Sequence, residues 1–259
     1  MSWGILYDST RCIGCGACSA ACKEQNDLPL PIEERTTAYT WTTVEKHGGH
    51  WMRRLCMHCQ SPTCVSVCPV GAMQKSESGP VTYDAGKCIG CRYCIQACPF
   101  QVPKYQWDRA VPVVGKCVMC ASRVAAGKAT ACATVCPTGA TQFGERDALI
   151  AEARRRIAAE PGRYQDRIYG IDEAGGTGVL VLSAVPFGQL GLPENLPHEP
   201  LPNLTWRVLS HLPDVVAVAT VFLYGVYWIT NRREYVRRME GGDAPVEPPA
   251  PAHGGGGRS

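Results

Sequence analysis

The cysteines constrain this chain more than anything else in it: 16 of its 259 residues are cysteine, and they fall into four groups of four with none left over. The groups are Cys12, Cys15, Cys18 and Cys22; Cys56, Cys59, Cys64 and Cys68; Cys88, Cys91, Cys94 and Cys98; and Cys117, Cys120, Cys132 and Cys136. Thiols at this density serve as cross-links or metal ligands, and spacing decides which. Groups one and three read C-x2-C-x2-C-x3-C, as in CIGCRYCIQACPF at residues 88–100. In that run three closely spaced thiolates hold one face of a [4Fe-4S] cube and the fourth reaches a second cube. Groups two and four stretch it, with four residues between Cys59 and Cys64 and eleven between Cys120 and Cys132, and keep the ligand number. A zinc site has no use for a third cysteine two residues on, and disulfides do not require the run four times over.

Three groups end in Cys-Pro, at Pro69, Pro99 and Pro137, where a fixed φ and a missing N–H turn the chain away from the ligand. Lys23 follows group one instead. CPVGAM and CPTGAT recur after groups two and four, as a ferredoxin-like repeat would have them. Between groups one and two, YTWTTVEKHGGHWMRRL alternates apolar and polar residues on both sides of Gly48-Gly49 and predicts a β-hairpin. Up to Gly144 the aliphatic periodicity is too thin for an ordinary core, so the clusters themselves are expected to hold residues 1–144 together.

Beyond Gly144, Ala148, Leu149, Ile150, Ala153 and Ile157 with Arg154-Arg155-Arg156 predict an amphipathic surface helix that Pro161-Gly162 stops. Gly176-Thr177-Gly178 is glycine rich but precedes its apolar run, and no Gly-Lys-Ser/Thr follows, so phosphate binding is rejected. Prolines from Pro186 to Pro213 break regular patterns and predict an extended arm, giving residues 145–211 as a helix plus a partner-binding arm. Val215 to Thr230 carries no charge and spans roughly 24 Å as a helix. With Trp206, Tyr224, Tyr227 and Trp228 as interfacial aromatics, residues 212–238 read as a transmembrane anchor, the alternative being a helix buried against a partner subunit. Residues 239–259, rich in proline and glycine, are expected to be disordered.

On these motifs the chain resembles the four-cluster iron-sulfur subunits of the molybdopterin oxidoreductase complexes. The resemblance implies an α+β fold of two interleaved bacterial-ferredoxin-like dicluster domains, followed by the arm and the membrane helix. It further implies that group one pairs with group four and group two with group three. One cube would then take Cys12, Cys15, Cys18 and Cys136, and its partner Cys22, Cys117, Cys120 and Cys132. In the other half Cys56, Cys59, Cys64 and Cys98 would hold one cube, and Cys68, Cys88, Cys91 and Cys94 the other. ACKEQND and the eleven-residue gap resemble the β subunit of membrane-bound formate dehydrogenase, the favoured reading. GILYDSTRCIGC, LCMHC, CRYC and GGTGVLVLSAVPF resemble equally the iron-sulfur subunit of uptake nickel-iron hydrogenases.

No residue set supports catalysis, and nothing points to nucleic acid. His58 reads as a hydrogen-bond donor to a cluster sulfur or as surface; His211 as interfacial more than haem-ligating; Lys104 and Lys116 as cations near ligands, or merely solvated. The expected function is electron transport through four [4Fe-4S] clusters, between a catalytic molybdopterin or nickel-iron subunit and a quinone-reactive membrane subunit. A terminal reductase running the same wire in reverse is the alternative. Arg232, Arg233, Arg237 and Arg238 place the C-terminus in the cytoplasm and the cluster domain on the outer face. MSWGILYDSTRC has neither a basic nor an apolar leader region, so export is expected on a partner that carries its own signal.

Overall fold

The computed structural model describes residues 2–241 and divides into two units, one ending at Thr205 and one beginning at Trp206. In chain order the first unit contains β1 (Trp3–Asp8), α1 (Ala17–Gln25), β2 (Thr43–His47), β3 (His50–Arg54), α2 (Thr63–Ser66), β4 (Met73–Lys75) and β5 (Val81–Tyr83). It continues through α3 (Tyr93–Ala97), β6 (Lys104–Tyr105), β7 (Val114–Gly115), α4 (Ala121–Ala125), α5 (Ala131–Thr134), β8 (Thr141–Glu145), α6 (Arg146–Ala159) and β9 (Val179–Leu182). A helix α7 (Leu201–Leu209) follows, and α8 (Leu212–Glu240) belongs to the second unit.

The two halves of the cluster body repeat one device. The strand entering group one, β1, pairs antiparallel with β8, the strand leaving group four. Likewise β4, leaving group two, pairs antiparallel with β5, which enters group three. Helix α1 packs on α5 and α2 packs on α3, so the helices match the groups in the same way as the strands. The β2–β3 hairpin forms with His47 opposite His50 and positive φ at both Gly48 and Gly49, as a two-residue hairpin loop requires.

Residues 145–205 are built into this unit. Strand β9 joins β1 in parallel and completes a three-stranded sheet of order β8-β1-β9. Side chains alternate across it: Ile5, Tyr7, Val179 and Val181 pack toward Cys18, Cys56, Cys117 and Met119, while Leu6, Leu180 and Leu182 pack with Leu149 and Ala153 of α6. Arg156 of α6 is buried and bonded to Asp8 at 3.0 Å, with Tyr164 on the same carboxylate at 3.0 Å. The glycines before β9 are there for close approach, since a Cβ on Gly178 would meet the His58 carbonyl oxygen at 3.0 Å.

Proline does not exclude helix from the arm as expected. Residues Leu201–Leu209 are helical, because Pro202 sits in the first turn, where its missing N–H has no partner to lose. In the second unit α8 runs unbroken for 29 residues, about 43 Å, longer than the charge-free stretch alone. It is long and apolar enough to cross a membrane, and its Val221, Phe222 and Tyr224 are exposed. Of the tail expected from residue 239, Met239 and Glu240 close this helix, and residues 242–259 lie outside the described residues.

Candidate metal centres

The ligand loops are shaped by backbone conformations that sequence spacing alone does not show. In groups one and three Gly14 and Gly90 share a φ of 72°, and the residue after the second cysteine, Gly16 or Arg92, is also left-handed before its helix begins. This geometry folds three cysteines into one short turn. A Cβ on Gly14 would fall within 2.3 Å of the Trp51 ring, so glycine is required there twice over.

The recurring Cys-Pro loops have a common use. After Cys68 the chain doubles back through Gly71, at φ 63°, and the Ala72 N–H donates to Cys68 Sγ at 3.2 Å. After Cys136 the same turn passes Gly139, also at φ 63°, and the Thr141 N–H donates to Cys136 Sγ at 3.4 Å. After Cys98 the Val102 N–H reaches Cys98 Sγ at 3.5 Å, with Gln101 in the left-handed position. Burial raises the thiol pKa at Cys68 and Cys136, yet the surrounding N–H donors outweigh it and both thiols are held below their ordinary value. Group one has no such loop because Cys22 lies inside α1. There Asn26 Nδ2, 2.8 Å from the Cys22 carbonyl oxygen and 3.6 Å from its sulfur, takes the place of the backbone donor. Lys23, in the position of proline, is buried and donates to the carbonyls of Pro29 and Tyr39.

The four groups are brought together across the sequence. One cavity is lined by Cys12, Cys15, Cys18 and Cys136, a second by Cys22, Cys117, Cys120 and Cys132, and a third by Cys68, Cys88, Cys91 and Cys94. The remaining four, Cys56, Cys59, Cys64 and Cys98, are near neighbours: burial raises Cys59 and Cys64, and Cys56 and Cys98 raise both further, Cys64 to about 12. We call these the Cys12, Cys22, Cys68 and Cys56 sites after their first cysteines.

The residues fit [4Fe-4S] cubes better than other uses of thiol. All 16 cysteines are free of disulfides. Among the described residues no group of three or more His, Cys, Asp or Glu side chains forms a site for a single metal ion. Burial raises Cys22 to about 12 and Cys94 to about 11, and neighbouring thiolates add to both shifts. Four thiolates in such surroundings need a cationic core between them. His58 adds an orphaned atom: its Nδ1 accepts the Val81 N–H at 2.8 Å, so Nε2 carries the proton, and Nε2 is buried with no partner among the described residues. A cluster held by Cys56 and Cys59, the chain neighbours of His58, would offer a sulfur as the acceptor this N–H needs.

Several side chains fall differently from a reading by position. His58 is wholly buried, and burial with Lys116 and Lys75 nearby keeps it neutral. Lys116 is buried too, its Nζ donating to the carbonyls of Val81 and Cys117. Lys104 is half-buried in β6 and lines a surface groove whose walls contain no cysteine. His211 is exposed at the start of α8. Nothing in the sequence marks Arg53, because alternation along β3 assigns one of each residue pair to solvent. Met52 and Arg53 are both buried, so the hairpin is covered on both faces.

Two 4Fe-4S dicluster domain models match, at residues 11–72 and 49–146. A protein of Nitratidesulfovibrio vulgaris is 41% identical over 94% of this chain and 70% of its own length. The hydrogenase-2 operon protein HybA of Escherichia coli O157:H7 is 37% identical over 74% of this chain and 73% of its own. The formate dehydrogenase-O iron-sulfur subunit of Escherichia coli K12 is 36% identical over 73% of this chain and 70% of its own.

Proposed function

The chain belongs to the 4Fe-4S dicluster family of iron-sulfur electron-transfer subunits of oxidoreductase complexes, and from that premise we propose that it is a wire of four cubes in series. The observation that carries the number is the assembly of sixteen free thiols into four sets of four, three of them each lining a cavity of its own. Each cube, when bound, supplies a one-electron couple. The protein's part is to hold four of them in order. Cys132 raises the pKa of Cys18, Cys56 that of Cys117, and Cys94 that of Cys64, each adding to the larger effect of burial. These neighbours support the sequence Cys12 site, Cys22 site, Cys56 site, Cys68 site. Cys15 and Cys91, one in each terminal site, are exposed, with exposed Ile13 and Ile89 beside them, whereas the Cys22 site is built of buried thiols. Electrons enter and leave at the two ends.

The partners are a catalytic subunit of formate dehydrogenase type, or hydrogenase type as the second reading, and a quinone-reactive membrane subunit. Relatives bearing hydrogenase and formate dehydrogenase names, at near-equal identity, support the two readings of the catalytic partner. Helix α8 anchors the chain, with Arg232, Arg233, Arg237 and Arg238 on the cytoplasmic side and the cluster body on the other. Anaerobic isolation of the complex tests the proposal: about sixteen iron atoms per chain are expected, with molybdenum or tungsten accompanying a formate partner and nickel a hydrogen partner. Iron near half that value in an intact preparation, or stoichiometric zinc, sinks the four-cube reading. A tail reporter active only outside the cytoplasm sinks the orientation.

A further inference from the structure

Arg53 is a wholly buried cation with no carboxylate to answer it. It lies in β3 at 1% exposure, Nε donating to Thr42 Oγ1 at 3.1 Å and Nη1 to Thr141 Oγ1 at 3.3 Å. Among the described residues no Asp or Glu forms an ion pair with it, while its neighbour Arg54 takes Glu45 at 3.1 Å. A guanidinium stays charged in any protein, and a buried charge without a counter-charge is strongly destabilising. The anions present are sulfur. Burial works against the charged form of Arg53, yet Cys132, Cys18 and Cys117 more than offset it. Cys18 belongs to the Cys12 site and the other two to the Cys22 site, and Arg53 lines the cavities of both.

We propose that Arg53 is the shared counter-charge of the Cys12 and Cys22 sites, a positioning residue whose guanidinium raises the reduction potential of both cubes. The inference rests on the four-cube reading above. A cube held by four thiolates is a dianion when oxidised and a trianion when reduced, so a fixed positive charge favours the reduced form more. Thr141 ties the charge to the ligands, because its N–H donates to Cys136 Sγ while its hydroxyl accepts from Arg53. The other buried cations line neither cavity: Lys23 holds the carbonyls of Pro29 and Tyr39, Lys116 those of Val81 and Cys117, and Arg156 the Asp8 carboxylate.

Redox titration of the anaerobically purified complex, followed by electron paramagnetic resonance, tests this. Wild type must first show four reducible cubes, and if it does not, the four-cube reading fails before Arg53 is at issue. Arg53→Met is expected to lower two of the four potentials, each by at least a tenfold change in the one-electron equilibrium constant, about 59 mV. The two signals are those lost in Cys15→Ser and Cys120→Ser, and Arg53→Lys should restore most of the shift. Arg53→Gln, which keeps a hydrogen-bond donor and removes the charge, serves as a second neutral variant. A neutral variant that assembles only the Cys56 and Cys68 cubes also supports the proposal, since loss is confined to the two sites that share the charge. Potentials that stay unchanged, shift in one cube only, or shift equally in all four overturn it. Loss of all four signals in both neutral variants overturns it as well, marking Arg53 as a folding element.

Discussion

The half of the body containing the Cys12 and Cys22 sites and the half containing the Cys56 and Cys68 sites obey the same ligand rule in different surroundings. In the first, Cys18, Cys22, Cys117, Cys120 and Cys132 are buried; in the second, only Cys56 and Cys94 are. The first half rests on a three-stranded sheet whose far face carries Leu6, Leu180 and Leu182 against α6. The second rests on two three-residue strands and a small cluster around Met73, Cys94 and Val114. Each buried Leu contributes about 1.5–3 kcal/mol, whereas a two-stranded ladder is marginal alone. Cysteine sets of the same number thus recur in both halves, while stability and electrostatics are set by what surrounds each set.

Iron removal should produce the largest effect and expose the difference. Chelation of the reduced protein is expected to lower amide protection most in Met73–Lys75 and Val81–Tyr83, because beyond the bonds of Val81 to His58 and Lys116 only a small apolar cluster stands behind these strands. Residual protection should persist at Leu6, Leu180 and Leu182, where α6 supplies an apolar core of its own. Hydrogen exchange read by mass spectrometry checks it. Equal loss in both halves would show that α6 and the sheet also depend on metal.

Next in size is the loss of single ligands. Cys136→Ser should destroy the Cys12-site cube or convert it to a [3Fe-4S] form, leaving the second half intact; Cys98→Ser should do the same to the Cys56 site and spare the first half. Electron paramagnetic resonance of the reduced variants distinguishes them. If the signal altered by Cys136→Ser matches that of Cys120→Ser and not Cys15→Ser, each group closes its own cube and the crossed arrangement is wrong.

How much of this was readable in advance follows the same division between local and long-range signals. The cysteine runs, the Gly48-Gly49 hairpin and the paired CPVGAM and CPTGAT loops are local patterns, and each appears in the structure. Less visible was what distant segments do for one another. GGTGVLVL carries no mark that β9 will lie beside β1, and Arg154-Arg155-Arg156 looks like solvated charge although Arg156 is buried on Asp8. Arg53 was hidden for a related reason. A charged residue in a strand reads as the wet face of the sheet unless one knows that metal-binding loops cover that face as well.

The lysines of the second half offer a smaller test. Lys116 lowers the Cys64 thiol pKa against the opposing effect of burial, so it is placed to favour negative charge at the Cys56 site. Lys116→Met is expected to lower the potential of that cube most, by about 60 mV if the equilibrium constant falls tenfold. The Cys68 cube, with exposed Arg92 on its cavity wall, should stay within measurement error. A shift in the Cys68 cube instead would mean that the order of sites along the second half is reversed.

The smallest expected effects lie in the Cys-Pro loops, where the halves can be compared residue for residue. Gly71 in the second half and Gly139 in the first have the same φ, and a Cβ on either meets nothing closer than 3.8 Å. Alanine at either position therefore adds backbone strain without a clash, roughly 1 kcal/mol for an L-residue in the left-handed region. The third loop already carries that strain, since Gln101 adopts φ 53° where the other two have glycine. Gln101→Gly should relieve it, although glycine also loses more freedom on folding, so a net gain of about 0.5 kcal/mol or less is expected. Anaerobic denaturant midpoints of the three variants give the order Gln101→Gly above wild type, and Gly71→Ala and Gly139→Ala below it by similar amounts. A larger loss for Gly71→Ala than for Gly139→Ala would show that the thinner half leans harder on its loop, because the Ala72 N–H bond to Cys68 then has less packing behind it. Equal losses would confine the difference between the halves to their cores, with the ligand loops acting as interchangeable parts.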